Sequence, residues 1–219
     1  MAKIRTLLNS PNRNLLIVTG SLALIAIAMS ICAYWLPRFP GDMNLTLLFQ
    51  SIHNDTLLSI MKWVSYITAG WRSALLVIAG SIIVWWRLGK REAIMMTAAG
   101  IGSLLDSLFK IMVERPRPTP DLVQVWVAEQ SSSFPSGHAF YAMLFLGLAV
   151  YYAFAYMHRS DLRTLIMASL IILILLIGAS RVYLGAHWLS DVIGGYISGA
   201  VFLGIFIWLD RVSERHNST

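Results

Sequence analysis

Two residues near the carboxyl-terminal end of the sequence have types and a spacing that suit nucleophilic or acid–base chemistry. His187 and Asp191 are four residues apart, so on a helix they share one face and can form a hydrogen bond. A carboxylate that holds one imidazole nitrogen fixes the tautomer and leaves the other nitrogen free to react. Arg181 lies nearby and indicates an anionic substrate, with phosphate the first choice because a guanidinium matches its oxygens in pairs. The alternative is a helix-end histidine that the aspartate merely satisfies.

A second stretch supplies two more cations. Lys110 and Arg117 are seven residues apart, and two helical turns place both on one side, where Pro116 and Pro118 stiffen the chain. The alternative is interfacial snorkelling of two long basic side chains. Asp106 lies one turn before Lys110, and we expect it to form a structural ion pair with that lysine because a charge within a span needs a partner.

A third stretch places a histidine where an apolar run begins. In Pro135-Ser136-Gly137-His138, Ser136 is a plausible helix N-cap and Gly137 leaves backbone N–H groups open. The N-terminus of a helix attracts anions, and His138 could exchange a proton with a bound anion. Ordinary helix capping beside an incidental histidine is the alternative.

Together the three stretches supply three cations, one helix N-terminus, two histidines and one carboxylate. Phosphoryl transfer needs such a set, because cations neutralise the equatorial oxygens while a nucleophile attacks in line and an acid protonates the leaving oxygen. No second carboxylate accompanies the histidines, and a cationic cluster holds a divalent ion poorly. We therefore expect no metal and no other cofactor.

The elements that position these groups are predicted to be membrane-spanning helices. The chain has 219 residues, of which 57% are hydrophobic and 13% charged, and its mean hydropathy is +0.67. This composition is typical of an integral membrane protein. The single cysteine, Cys32, excludes an intramolecular disulfide. We predict six spans, at about Leu15–Leu36, Ser73–Trp86, Ala93–Val113, Ala139–Met157, Leu165–Ala179 and Trp188–Leu209.

Between the first two spans, the segment from about Leu45 to Gly70 is mixed in polarity, and within it the stretch from Leu57 to Ile67 predicts an amphipathic helix. Its apolar residues recur with helical periodicity and alternate with polar ones, which favours a position on the membrane surface. The expected fold is therefore all-α, a six-transmembrane-helix bundle with one additional interfacial helix. The first run is longer than the apolar core of a signal peptide, so we interpret it as an uncleaved span.

Charge distribution predicts the orientation in the membrane. An even number of spans puts both termini on one side, which carries ten Lys and Arg residues against seven on the other side. The positive-inside rule then places the termini in the cytoplasm and the three motifs outside. Because this pattern accounts for the net charge of +6, we do not expect a nucleic-acid partner.

The three motifs together resemble the type 2 phosphatidic acid phosphatase (PAP2) superfamily. The resemblance covers about residues 57–209, the expected core of a single domain of residues 1–219. It implies a metal-independent phosphatase of membrane lipids in the bacterial cytoplasmic membrane. It also implies that His187 is the nucleophile, that Asp191 orients it, and that His138 is the acid and base. The residues expected to bind phosphate are Lys110, Arg117, Ser136, Gly137 and Arg181.

The substrate stays open at the level of sequence. Resemblance to small bacterial members favours phosphatidylglycerophosphate or undecaprenyl diphosphate, with phosphatidate and lipid A 1-phosphate as further possibilities. A phosphotransferase of the same fold and a non-catalytic lipid transporter are the alternative functions. The histidines argue against the transporter, since binding alone needs neither a nucleophile nor an acid. The sequence does not indicate an oligomeric state.

Overall fold

The structure is a computed structural model that describes residues 10–217. Lys3 and Arg5, two of the basic residues used to predict the orientation, lie outside this range. The described chain contains helices and no strand, which confirms the all-α prediction. We number the α-helices α1 Ser10–Trp35, α2 Asp42–Gln50, α3 Asp55–Ile67, α4 Trp71–Arg87, α5 Lys90–Gly102, α6 Asp106–Val113, α7 Gly137–Tyr141, α8 Gly147–Tyr156, α9 Asp161–Tyr183 and α10 Leu189–Asn217.

Several of these helices join into longer rods. A short 3₁₀ turn, Ser103–Leu105, links α5 to α6, and a π-helical stretch, Ala142–Leu146, links α7 to α8. Five rods are long and apolar enough to cross a membrane, which agrees with five of the six predicted spans. These five are Asn12–Trp35, Lys90–Val113, Gly137–Tyr156, Asp161–Tyr183 and Leu189–Ser213.

The sixth crossing is less regular than the sequence predicted. Helix α4 has 17 residues, and it qualifies as a span only together with α3, from which it is bent by 72°. Helix α3 is amphipathic as predicted, since Met61 and Val64 are buried while Ile60 and Trp63 are exposed. Its buried face packs against α9 and against the loop before α7. The position of α3 on the membrane surface stays a prediction.

Local sequence explains where several helices begin and end. The side chain of Asn54 accepts a hydrogen bond from Leu57 N at the start of α3, and Ser160 does the same for Arg163 N at the start of α9. Helix α6 ends just before Glu114, whose φ of 47° lies outside the right-handed helical region. These signals are local, which is why the predicted spans and the observed helices nearly coincide.

The centre of the bundle is the rod formed by α7, the π-helical stretch and α8. Its side chains Phe140, Leu144 and Leu148 are fully buried. Helix α10 packs closely against this rod, because a Cβ on Gly195 would lie 2.5 Å from the Ser136 carbonyl oxygen. The close packing brings the first turn of α10 against the first turn of α7. One end of the bundle, which we call the motif end, therefore contains the end of α6, the start of α7, the end of α9 and the start of α10.

Candidate active site

All eight residues predicted to form the site lie at the motif end of the bundle. Two of them, Lys110 and Arg117, line a cavity of about 670 Å³ together with Glu129. The 23 residues between α6 and α7 are irregular and form much of the wall. This segment is held in place by backbone hydrogen bonds, from Ser133 N to Arg115 O at 2.8 Å and from Ser136 N to Asp191 O at 3.0 Å. The long loop therefore brings the three motifs into one site.

The His187 imidazole is completely buried between α9 and α10. Its Nδ1 lies 2.8 Å from the backbone carbonyl oxygen of Ser133. Its Nε2 lies 3.2 Å from Nη1 of Arg117. A carbonyl only accepts and a guanidinium only donates, so Nδ1 carries the proton and Nε2 carries the lone pair. The ring is thus held in the tautomer in which Nε2 is the unprotonated nitrogen.

The predicted hydrogen bond between His187 and Asp191 is wrong. The distance from His187 Nδ1 to Asp191 Oδ2 is 3.7 Å, which is too long for a hydrogen bond. His187 lies two residues before the first residue of α10, so the helical i,i+4 geometry does not apply to it. Asp191 instead accepts hydrogen bonds at Oδ2 from Trp188 N at 2.8 Å and from Ser133 Oγ at 2.5 Å. Asp191 is therefore linked to His187 through Ser133, whose hydroxyl donates to Asp191 and whose carbonyl oxygen contacts His187 Nδ1.

Behind His187 lies a buried ion cluster that the sequence did not predict. Arg115 is 2% exposed and forms ion pairs with Asp191 and, at 2.9 Å, with Asp42. Its Nη1 also donates to Ser190 Oγ at 2.8 Å, and Asp42 accepts from Ser190 N at 3.0 Å. These bonds satisfy the carboxylate of Asp191 on both oxygens. Asp42 lies 149 residues before Asp191, so no local pattern could have revealed this contact.

The predicted ion pair between Asp106 and Lys110 is confirmed, with 3.0 Å between Oδ2 and Nζ. The pair lies against the start of α7. A Cβ on Gly137 would be 2.4 Å from Asp106 Oδ2 and 3.4 Å from Lys110 Nζ. Only glycine allows this approach, so Gly137 brings the ammonium group of Lys110 beside the amino-terminal turn of α7.

Ser136 and His138 present free polar atoms at the same place. Ser136 occupies the N-cap position of α7, as predicted, but its hydroxyl makes no capping hydrogen bond. Ser136 Oγ and His138 Nε2 are buried and have no hydrogen-bond partner within residues 12–213. The imidazole of His138 is instead bonded to the backbone of Ser65 in α3. Buried polar atoms normally have partners, so these two atoms are suited to a ligand.

The remaining two predicted residues, Arg117 and Arg181, are joined by a carboxylate. Glu129 forms an ion pair with Arg117 at 2.8 Å between Oε2 and Nη2, and its Oε1 pairs with Arg181. Arg181 also donates to the Ser65 hydroxyl. The sequence analysis did not identify Glu129 or Ser65. Both are ordinary polar residues without a motif, and only their position beside the arginines distinguishes them.

The part of the sequence that carries these groups matches a known family. A model of the PAP2 superfamily matches residues 91–214, which include all three motifs. The chain belongs to the PAP2 superfamily. It is 30% identical over 142 residues to phosphatidylglycerophosphatase B of Bacillus subtilis (strain 168), a match that covers 64% of this chain and 68% of that protein.

Two solved structures share the fold of this PAP2 protein. The crystal structure of a transmembrane PAP2-type phosphatidylglycerolphosphate phosphatase from Bacillus subtilis aligns with a TM-score of 0.76 and 23% identity, over 88% of this chain and 96% of that chain. The crystal structure of Aquifex aeolicus LpxE aligns with a TM-score of 0.60 and 23% identity, over 80% and 98%. Family and relatives together identify the chain as a membrane phosphatase of this superfamily.

Electrostatics in the PAP2 site favour a neutral imidazole at His187. Burial is the main cause that lowers the pKa of His187 well below its usual value, and the charges of Arg117 and Arg181 lower it further. The imidazole is therefore uncharged at neutral pH and keeps its Nε2 lone pair. Burial alone would raise the pKa of Glu129, but the positive charges around it, chiefly those of Arg181 and Arg117, outweigh burial and lower it to about 2. Glu129 is thus ionised between its two arginines.

The described residues contain no group of three or more His, Cys, Asp or Glu side chains that could hold a metal ion. The expectation of a metal-independent reaction stays a prediction, which the chelator experiment below tests.

Proposed function

We propose that this PAP2 protein hydrolyses lipid phosphate monoesters or diphosphates through a phosphohistidine on His187. The observation that carries the proposal is the orientation of that imidazole. Nδ1 is held by the Ser133 carbonyl at 2.8 Å, and Nε2 faces Arg117. A histidine whose free lone pair points at a phosphate-binding guanidinium can attack a phosphorus atom bound there.

Binding comes first in the proposed mechanism. Arg117 and Arg181 are joined by Glu129, and Lys110 lies beside Gly137 and lines the same cavity as Arg117. The free hydroxyl of Ser136 adds a hydrogen-bond donor. Cations and donors placed around the equatorial oxygens stabilise the charge that develops during phosphoryl transfer.

In the first chemical step, Nε2 of His187 attacks phosphorus and the bond between phosphorus and the leaving oxygen breaks. His138 gives its proton to that oxygen, so the lipid alcohol or lipid monophosphate leaves with the oxygen protonated. The new N–P bond makes the imidazole cationic, since Nδ1 keeps its proton. The Ser133 carbonyl and the carboxylate of Asp191, 3.7 Å away, stabilise this cation.

In the second step, water attacks the phosphohistidine in line. His138, now neutral, accepts a proton from this water, and the bond between Nε2 and phosphorus breaks. Inorganic phosphate then leaves, and His187 returns to its starting tautomer. The same residue thus serves as acid in the first step and base in the second.

The leading substrates are phosphatidylglycerophosphate and undecaprenyl diphosphate, with phosphatidate and lipid A 1-phosphate as weaker candidates. Phosphatidylglycerophosphate is favoured because the curated relative at 30% identity is named as its phosphatase. The experiment is phosphate release from each of these lipids by purified protein in detergent, with excess EDTA and with His187→Ala as control.

We expect phosphate release in EDTA by the unmodified protein, inhibition by vanadate, and no release by the control. A transporter would release no phosphate from any lipid. A phosphotransferase would transfer the phosphoryl group to a second lipid instead of to water. Activity lost with chelator and restored by Mg²⁺ would replace this mechanism with a metal-dependent one.

We further propose that both termini are cytoplasmic and that the site opens on the outer side of the bacterial inner membrane. The support is the excess of Lys and Arg on the side of the termini. In a Cys32→Ser background, we expect an impermeant thiol reagent to label Ala128→Cys from outside intact cells but not Asp161→Cys. Both positions are exposed, so the opposite labelling pattern would reverse the orientation.

A further inference from the structure

The carboxylate of Glu129 bridges the two arginines in the way that a bound phosphate would. One oxygen pairs with Arg117 and the other with Arg181. A phosphate group binds guanidinium ions with the same type of charge-assisted hydrogen bonds and also presents separate oxygens to separate partners. The two arginines are therefore already paired with an anion that the chain itself supplies.

This internal anion lies beside the nucleophile. Arg117 uses Nη2 for Glu129 and Nη1 for Nε2 of His187, at 2.8 Å and 3.2 Å respectively. A phosphate positioned for attack by Nε2 must bind in the same small region, and two anions cannot share one pair of guanidinium groups without strong repulsion.

We propose that Glu129 is an internal competitor for the phosphate group, which sets the affinity of the site for substrate and for the phosphate product. Its carboxylate occupies part of the phosphate position in the empty site and leaves both arginines when phosphate binds. The inference rests on the proposed function, because it takes Arg117 and Arg181 as the phosphate ligands.

The surroundings of Glu129 allow its side chain to move while its backbone stays in place. The side chain is 29% exposed, compared with 1% for Arg181. Three residues earlier, Trp126 stacks on Tyr183 with 5.5 Å between ring centroids, and its N–H donates to Leu184 O at 3.0 Å. The loop is therefore anchored close to Glu129, and rotation about side-chain bonds is enough to withdraw the carboxylate.

A second cavity can receive the displaced carboxylate. It has a volume of about 580 Å³ and lies on the other side of Glu129, at the junction of α3 and α4. Lys62 and Arg72 line it together with Trp63 and Tyr66. Glu129 thus forms part of the wall between two cavities, with cations on both sides. Its charge can stay near a cation in either position.

Competition of this kind has a defined kinetic signature. The site exists in two forms, one in which Glu129 pairs with the arginines and one in which it has left them. A ligand that must first displace Glu129 loses affinity by the factor by which the paired form is favoured over the other. The factor is the same for lipid substrate and for inorganic phosphate, so KM and the inhibition constant of phosphate rise together while kcat is unaffected. The benefit is that the phosphate product does not saturate the site. A role for Glu129 in holding the arginines ready for phosphate predicts the opposite sign.

The test is Glu129→Gln, which keeps the shape of the side chain and removes its charge. We expect the inhibition constants of phosphate and vanadate, and the KM for a lipid phosphate, each to fall by about tenfold, which corresponds to the loss of one ion pair of about 1.4 kcal/mol. We expect kcat to stay within about twofold, because the competitor acts on binding. Unchanged or increased inhibition constants would overturn the proposal.

Glu114→Gln is the matched control. Glu114 lines the same 670 Å³ cavity and forms no ion pair within the part of the chain that the structure describes, so its removal changes the net charge equally without freeing an arginine. We expect its inhibition constants to stay near those of the unmodified protein. An equal fall in both variants would show a general effect of charge, and the proposal would fail.

A binding measurement separates this proposal from the proposed function. Phosphate raises the melting temperature of a protein that it binds, so the phosphate dependence of melting yields an affinity without any catalysis. If no lipid releases phosphate, the proposed function fails; if melting shows no tighter binding in Glu129→Gln, the inference fails. Should that variant not fold, Glu129→Asp keeps the charge but is too short to reach both arginines, and we expect an intermediate gain in affinity.

Discussion

Arg115 and Arg117 are separated by a single proline, yet they belong to two different regions of the site. Arg115 lies behind His187, is completely shielded, and pairs with Asp42 and Asp191. Arg117 lies in front of His187, keeps 11% of its side chain exposed, and shares Glu129 with Arg181. The cluster behind the nucleophile thus has one guanidinium for two carboxylates, and the cluster in front has two guanidinium groups for one carboxylate.

This difference in charge shows how the two regions divide the work. An excess of carboxylate behind the ring favours the cationic imidazole that the proposed mechanism forms when Nε2 bonds to phosphorus. An excess of guanidinium in front favours the phosphate anion. The side chains of the rear cluster are almost fully shielded, while Glu129 of the front cluster borders two cavities. We therefore expect changes at the rear to affect folding first and changes at the front to affect catalysis first.

The largest effect is expected at the nucleophile between the two regions. His187→Ala removes the atom that bonds to phosphorus, so we expect no phosphoenzyme and essentially no turnover. The measurement is acid-quenched labelling with a lipid carrying radioactive phosphate. A label that persists in this variant would mean that another residue is the nucleophile.

His138→Ala is expected to have a smaller effect than His187→Ala, because it removes proton transfer and leaves the nucleophile. General acid–base catalysis typically contributes about 10²–10⁴-fold, so we expect residual turnover in that range. A diphosphate substrate has a less basic leaving group, and with it the variant should accumulate labelled phosphoenzyme. Loss of labelling in this variant alone would exchange the roles of the two histidines.

The arginine pair tests the division directly. Arg115→Met leaves Asp42 and Asp191 buried without their cation, and removal of one partner of a buried ion pair costs about 3–5 kcal/mol of unfolding free energy. Arg117→Met is expected to melt near the unmodified protein and to lose about 10²–10³-fold in kcat/KM, as for loss of one electrostatic contact to a transition state. Melting curves and phosphate release, measured on both variants, would contradict the division if the effects were reversed.

The pH profile is a finer test of the front region. Burial, with Arg117 and Arg181, lowers the pKa of His187, and the neutral ring is the active form. The fall in kcat/KM that protonation of His187 causes should therefore occur only below about pH 6.5, the ordinary pKa of histidine. Arg117→Met removes one of the charges that lower this pKa, so the acid limb should move to higher pH. An acid limb that stays in place, or moves to lower pH, would mean that the charge of Arg117 does not lower the pKa of His187.

The smallest effect is expected at the link between the two regions. Ser133→Ala keeps the carbonyl that holds His187 Nδ1 and removes only the hydroxyl that donates to Asp191 at 2.5 Å. A hydrogen bond to a charged group contributes about 1.5–3 kcal/mol, and part of this is recovered because Arg115 and Trp188 N still hold Asp191. We expect a loss of about tenfold in kcat, measured by phosphate release. No change would mean that Asp191 does not act through Ser133.

Local signals made most of the fold predictable. Apolar runs and helical periodicity depend on residues close together in the chain, so the predicted spans lie close to the observed helices. The prediction was least accurate for α4, which has 17 residues and qualifies as a membrane span only together with α3. The bend between these two helices cannot be read from hydropathy. The ion pair between Asp106 and Lys110 was also predictable, since both residues lie on one helix.

By itself, the sequence determined the helices, the family and the three motifs that meet at one end of the bundle. Only the tertiary structure decided what holds each functional group. His187 precedes its helix, so its Nδ1 binds Ser133, 54 residues away, rather than Asp191. Asp42 and Glu129 reach their arginines through contacts between segments far apart in the chain. Such contacts depend on how helices and the long loop pack, and helical periodicity carries no information about that packing.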